Sequence, residues 1–226
     1  MDLMSVRRGL LSSDGYIKNG LVLWMDGIDK GSTSGAWTDR AAGHVFTSVN
    51  GFADGSNYVG LNAASLQYLY NSTFTAPSQL DGTVEGVITD FARGSMFFFP
   101  KTNGQIAFST SGSADKITWG VGSTSNMMRP VPYDSSSKIF SFTSDENKDT
   151  IAVVNGVYEV INYDSSYWGM TDNTYNYIGK RNYSANPLYA TAKIYAIRIY
   201  NRHLIPDEML HNQRIDNKRF KLGLNI

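Results

Sequence analysis

Hydrophobic residues recur along this chain in short runs separated by Gly, Ser, Asn and Asp, which reads as strand after strand. Residues 20–26 (GLVLWMD) form a compact apolar run, as expected of a buried strand. Residues 28–42 are rich in Gly, Ser and Asp and read as a loop containing Trp37. Val45–Val49, Val59–Leu61 and residues 65–70 are short strand candidates. Residues 83–91 (TVEGVITDF) alternate with period two, so one face is expected on the core. Residues 96–99, 105–109 and 117–121 continue the series at hairpin-like spacing. Asn155-Gly156 lies between TIAVV and VYEVI, and this dipeptide supplies the two positive φ angles of a tight two-residue hairpin turn. Ala192–Tyr200 (AKIYAIRIY) is the strongest single strand, with Tyr195, Ile197 and Ile199 expected on the core face.

One helix is expected, from about Pro206 to about Arg219. Pro206 suits a first helical position, and Asp207 and Glu208 follow where the helix dipole favours negative charge. Leu210, Arg214 and Asn217 share a face, with Met209, Gln213 and Phe220 near it. Many short strands and one terminal helix predict an all-β sandwich or barrel. No linker divides the chain, so residues 19–226 read as one domain and residues 1–18 as an N-terminal extension. That extension is either a frayed terminus or a short anchor that docks on a partner.

Composition narrows the chemistry. The chain has 226 residues, 42% of them hydrophobic, enough for a large core. Twenty basic and twenty acidic residues cancel, so the field that draws nucleic acid or an anionic membrane is missing, and neither is an expected partner. The absence of cysteine excludes disulfides, thiolate catalysis and Cys-based metal sites. No run approaches the roughly 18 apolar residues of a membrane span. Arg7 and Arg8 interrupt the opening segment before the apolar stretch of a secretory signal can form.

Three stretches resemble concanavalin A-like (laminin-G-like) lectin and glucanase domains: residues 20–26 followed by Trp37-Thr38-Asp39; residues 138–157 (KIFSFTSDENKDTIAVVNGV) with Tyr177-Ile178-Gly179; and residues 194–201 (IYAIRIYN) with residues 204–220. The resemblance runs over residues 20–222, is weakest over 92–137, and implies an antiparallel jelly-roll β-sandwich with a short C-terminal helix. The opening MSVRRGLL is also similar to the starts of phage and prophage virion proteins that carry this domain. It implies a virion or extracellular-surface location without a signal peptide, and other virion proteins as partners through the N-terminal segment. A homo-oligomer is a further candidate assembly.

The glucanase branch carries E-x-D-x-x-E on one strand, which aims paired carboxylates into one cleft. Here only Glu85 and Asp90 occur on the comparable strand, at an odd spacing that separates their faces. The three histidines, His44, His203 and His211, have no nucleophile motif near them, and a polar helix face accounts for the last two. The expectation is therefore a non-catalytic carbohydrate-binding or adhesion module, a virion fibre or receptor-binding component. The alternatives are a structural virion protein that makes protein contacts, and a glycoside hydrolase with an unrecognised carboxylate pair. Sugar binding needs exposed aromatic platforms beside Asn, Asp or Ser on loops. Residues 163–177 (YDSSYWGMTDNTYNY) offer Tyr167, Trp168, Asp172 and Asn173; Asn182 and Tyr183 follow, and Trp119 and Tyr133 come from the middle of the chain. No cofactor is required on this reading. Calcium (Ca2+) is a candidate, because Asp145-x-Asn147-x-Asp149 opens like a calcium loop, although its sixth and twelfth positions hold Thr150 and Gly156. Asp26, Asp29 and Asp39 are a second candidate set.

Overall fold

The computed structural model describes residues 14–31, 35–75, 82–91, 98–99, 109–110, 116–118, 128–130, 136, 138–144, 150–161, 176–181 and 187–226. In chain order the strands are β1 (Leu21–Asp26), β2 (Ala36–Thr38), β3 (Val45–Val49), β4 (Ala53–Asp54), β5 (Val59–Leu61), β6 (Tyr68–Asn71), β7 (Thr83–Thr89), β8 (Phe98–Phe99), β9 (Ser109–Thr110), β10 (Lys116–Thr118) and β11 (Met128–Pro130). They continue as β12 (Lys138–Ser144), β13 (Thr150–Val154), β14 (Val157–Ile161), β15 (Asn176–Ile178), β16 (Lys180–Arg181), β17 (Leu188–Tyr189) and β18 (Ala192–Tyr200), followed by helix α1 (Pro206–Phe220).

Two antiparallel sheets make the body. The larger has the order β14-β13-β12-β7-β18-β5-β4, with β1 also on β18; the smaller has the order β2-β3-β6-β15-β8. Their facing sides share one core that includes Leu23, Trp37, Phe46, Leu69, Phe140, Ile178 and Ile194. The fold is thus an all-β sandwich with one α-helix among the described residues. Gly86 faces Phe140 across the β7–β12 ladder, and a β-carbon there would lie 2.3 Å from the ring. A glycine inside this strand therefore makes room for an aromatic ring. The Asn155-Gly156 turn forms as its sequence predicts, with φ of 48° and 80°.

Two expectations, for Trp37 and Tyr195, are corrected. Trp37 lies in β2 rather than a loop, fully buried, with its indole N–H donated to Asp26 O at 3.1 Å. In β18 the register shifts between Ile194 and Ala196, so Ile194, not Tyr195, joins Ile197 and Ile199 in the inter-sheet core. The bulge resets the alternation, and Tyr195 packs on Phe220 outside that core. The buried face of α1 is Met209, Asn212, Gln213, Asp216 and Phe220, whereas Arg214 is exposed. In the N-terminal segment Tyr16 and Ile17 are buried, and His211 Nε2 lies 2.9 Å from Gly15 O.

Among the described residues no helix is long and apolar enough to cross a membrane.

Candidate functional site

The two outer faces of the sandwich differ. The outer face of the larger sheet is roofed by α1, which packs on Val153 and Tyr200 at one place and on Val87, Ile139 and Ala196 at another. Between these apolar contacts lies a polar cluster. Arg198 Nε donates to Glu85 Oε2 at 2.7 Å, and its terminal nitrogens donate to both oxygens of Asp216, one of them at 2.9 Å. Asp216 also accepts from the Tyr16 hydroxyl at 2.8 Å. Glu85 accepts from Asn212 at 2.9 Å and from Ser141 at 3.0 Å, and Ser141 in turn accepts from Gln213 at 3.0 Å. All of these side chains are buried. Burial raises the Glu85 pKa against the pull of Arg198. Burial also pulls the Arg198 pKa down, but Asp216 and Glu85 outweigh it and hold the guanidinium charged. A substrate cannot reach this carboxylate pair, and its every oxygen is taken. Asp90, the other carboxylate of the residue 83–91 segment, stands apart from it and pairs with Lys193 at 2.6 Å.

Among the described residues no helix covers the outer face of the smaller sheet. In β6 the alternation sends Leu69 and Asn71 inward and leaves Tyr68 and Tyr70 half-buried on the other side. In β15 Ile178 is buried and Tyr177 is half-buried. The register sets Tyr177 opposite Tyr70, with Thr47 of β3 on the other flank of Tyr70. The rings of Tyr70 and Tyr177 stack at 5.4 Å and 26°, and Tyr68 meets Tyr177 edge-on at 5.8 Å and Tyr189 at 6.1 Å. Gly179 (φ 86°) turns the chain between β15 and β16, so Lys180 returns to the tyrosine side. Its Nζ lies 4.5 Å from the centre of the Tyr68 ring, 5.2 Å from Tyr177 and 5.9 Å from Tyr189.

Beside Tyr70 the surface sinks into an open depression of about 380 Å³ bordered by His44, Thr47, Ser72 and Thr73. Asn71 fixes its rim: the side-chain amide donates to Val45 O at 2.8 Å, and the side-chain oxygen accepts from the Thr73 and Phe74 amides at 2.8 and 2.6 Å. The result is an aromatic pavement with hydroxyl groups at its edge, which suits a ligand with an apolar face and polar rim.

Tyr167, Trp168, Asp172, Asn173, Asn182, Tyr183, Trp119 and Tyr133 lie outside the described residues, as do Asp145, Asn147 and Asp149. Of the aromatic segment 163–177, Tyr177 is described, and it belongs to the pavement. Tyr68, Tyr70, Tyr189 and Lys180 escaped the sequence reading. The Tyr68-Leu69-Tyr70 alternation was the available signal, since it places two tyrosines on one strand face.

Asp26, Asp29 and Asp39 do not form a cation site. Asp26 accepts from the Ile28 and Asp29 amides, from Arg40 at 3.0 Å and from Arg219 at 2.7 Å. Asp39 accepts from the Trp24, Ala41 and Ala42 amides. Asp29 pairs with Arg40 at 3.3 Å. These carboxylates face N–H donors, which stitch β1 to β2 and to the helix, and a metal needs lone pairs that are free. Among the described residues no group of three His, Asp or Glu could hold a metal ion. His203 is not merely a solvated helix-flanking residue: its Nδ1 lies 3.1 Å from Thr143 Oγ1.

No family model matches the sequence, and no curated protein matches it. Solved structures do share the fold, an antiparallel β-sandwich. A Trypanosoma rangeli sialidase in complex with sialic acid superimposes with a TM-score of 0.64 at 13% identity, covering 96% of this chain and 37% of that one. The receptor-binding domain of botulinum neurotoxin type G gives 0.64 at 11% identity, covering 88% of this chain and 52% of that one. The binding domain of botulinum neurotoxin DC in complex with SialylT gives 0.60 at 8% identity, covering 87% and 52%. This chain therefore spans between about a third and a half of the solved chains it resembles.

Proposed function

We propose that this protein is a non-catalytic carbohydrate-binding module of the concanavalin A-like, jelly-roll kind, and that the tyrosine face of the smaller sheet is its binding surface. The observation that carries the reading is the stacked Tyr70–Tyr177 pair beside a hydroxyl-bordered depression. Sugar rings offer C–H faces to such rings and hydroxyls to such edges. The pavement lies on paired strands rather than on a single loop, so its rings are held before any ligand arrives. Glycan-bound proteins among the solved structures of this fold support the same reading. Its non-catalytic character rests on Glu85 and Asp216, which are neutralised by Arg198 and sealed beneath the helix. The similarity of the opening MSVRRGLL to virion proteins supports an exposed virion component as the setting.

A glycan array followed by titration calorimetry tests the assignment. Binding of a defined oligosaccharide, lost in Tyr70→Ala and Tyr177→Ala while the unfolding midpoint changes little, is the expected result. Absence of binding to every glycan overturns it. A reducing-sugar release assay on the glycans that bind should remain at background.

A further inference from the structure

Resting on that reading, we propose that the tyrosine face selects an acidic glycan, with Lys180 as the group that meets the anionic substituent of the sugar. Five cations of the described residues lie over an aromatic ring. Arg40 covers Trp24 and pairs with Asp26, Asp14 and Asp29. Lys193 covers Tyr58 and pairs with Asp90. Arg198 covers Tyr16 and pairs with Glu85 and Asp216. Arg219 covers Phe220 and pairs with Asp26. Lys180 covers the tyrosines alone: among the described residues it has no carboxylate partner.

That exception falls in the middle of the proposed platform. A lysine with no partner ordinarily extends its ammonium into water. Here the rings hold the ammonium within 6 Å of three ring centres, where their electron-rich faces stabilise it. Gly179, at a left-handed φ of 86°, forms the turn from β15 into Lys180. A sugar laid on Tyr70 and Tyr177 would present a ring carboxylate or sulfate to a cation already fixed in place, so little side-chain freedom is lost on binding. A neutral sugar would leave that cation unanswered.

Calorimetry with the full chain tests this. The probes are a galacturonate oligosaccharide, a sialyl-oligosaccharide and a sulfated galacto-oligosaccharide, each beside its carboxyl-reduced or desulfated form. The expected result is that an acidic probe binds about fivefold to tenfold tighter than its neutral form, as a charge-assisted contact at a half-exposed site allows. The advantage should shrink with added salt. Lys180→Gln should erase the gap and Lys180→Arg should keep it. Which acidic probe responds tells carboxylate from sulfate. Equal binding of acidic and neutral forms, or a preference that survives Lys180→Gln, overturns the acidic assignment while glycan binding stands. If no probe binds in either form, the acidic assignment falls, and the glycan array alone decides whether glycan binding stands. Should Lys180→Gln not fold, the acidic-against-neutral comparison on the unaltered chain still decides.

Discussion

The two outer faces of this sandwich use the same chemical pair in opposite ways. Arg198 lies 4.5 Å from the Tyr16 ring on the larger sheet, and Lys180 lies 4.5 Å from the Tyr68 ring on the smaller one. Under the helix the cation meets two carboxylates, and each polar neighbour has a partner. On the other face the cation meets none among the described residues. Burial makes the difference: a charge removed from water needs a counter-charge inside the protein, whereas a half-exposed one can leave that place to a ligand. The first cluster holds the helix, the N-terminal strip and the larger sheet together. The second leaves its cation half-exposed, and on the proposed reading a ligand supplies the counter-charge.

The largest effect follows from cutting each cation. Arg198→Met leaves Glu85 and Asp216 buried without their counter-charge and should cost roughly 3–5 kcal/mol in urea unfolding. Lys180→Met should change stability by no more than about 0.5 kcal/mol. Equal losses would erase the contrast. Next in size are the rings. Tyr177→Ala should weaken glycan binding at least about tenfold, in the range of anchor residues at interfaces. Tyr16→Phe should leave binding unchanged and lower stability by about 1–2 kcal/mol, because Asp216 loses a buried donor.

Parts of both faces were legible in the sequence, and the rest depended on register. The β13–β14 hairpin follows from Asn155-Gly156, because its backbone preference is local. The helix boundaries follow from Pro206 and the acidic first turn for the same reason. The inward face of α1 does not. Asn212, Gln213 and Asp216 are polar, so an apolar-stripe criterion rotates the helix away from them. Only the position of Arg198 and Glu85 in adjacent strands explains their burial. The single bulge in β18 reverses the facing of a residue that alternation alone assigns to the core. On the outer face of the smaller sheet, Tyr68 and Tyr70 share a side by alternation, but Tyr177 joins them through pairing with a strand more than a hundred residues away in sequence.

Gly179 connects local backbone to the proposed ligand preference. Gly179→Ala places a β-carbon at a φ of 86° and 2.3 Å from Leu61 Cδ1. The leucine end can shift, but the backbone strain stays, at about 1–2 kcal/mol. A lowered melting temperature together with a reduced preference for acidic over neutral probes is expected. A lowered melting temperature with the preference intact would separate Lys180 placement from this turn.

The smallest effect contrasts Glu85 of the helix-covered cluster with Glu208, which pairs with Arg202 at the start of α1, by the sign of their pH response. Glu85 is held above the ordinary glutamate range by burial, despite Arg198. The folded chain then binds that proton more tightly than the unfolded one, so Glu85's contribution is full below the ordinary value and declines as pH rises toward its raised pKa. Glu208 behaves in reverse. Burial pushes its pKa up, but the hydrogen bonds from Arg202, at 2.7 and 2.8 Å, and from the Ile205 amide outweigh it and hold the pKa below the ordinary value. Its contribution is present above the ordinary value and is lost as pH falls through the lowered one. Urea midpoints measured between about pH 3 and pH 7 should therefore lose a falling component in Glu85→Gln and a rising component in Glu208→Gln. The second should amount to no more than about 0.5 kcal/mol, since solvent screens that pair. A Glu85→Gln profile parallel to that of the unaltered chain would mean that Glu85 titrates alike in the folded and unfolded chain, and that the helix-covered cluster exerts no hold on its proton.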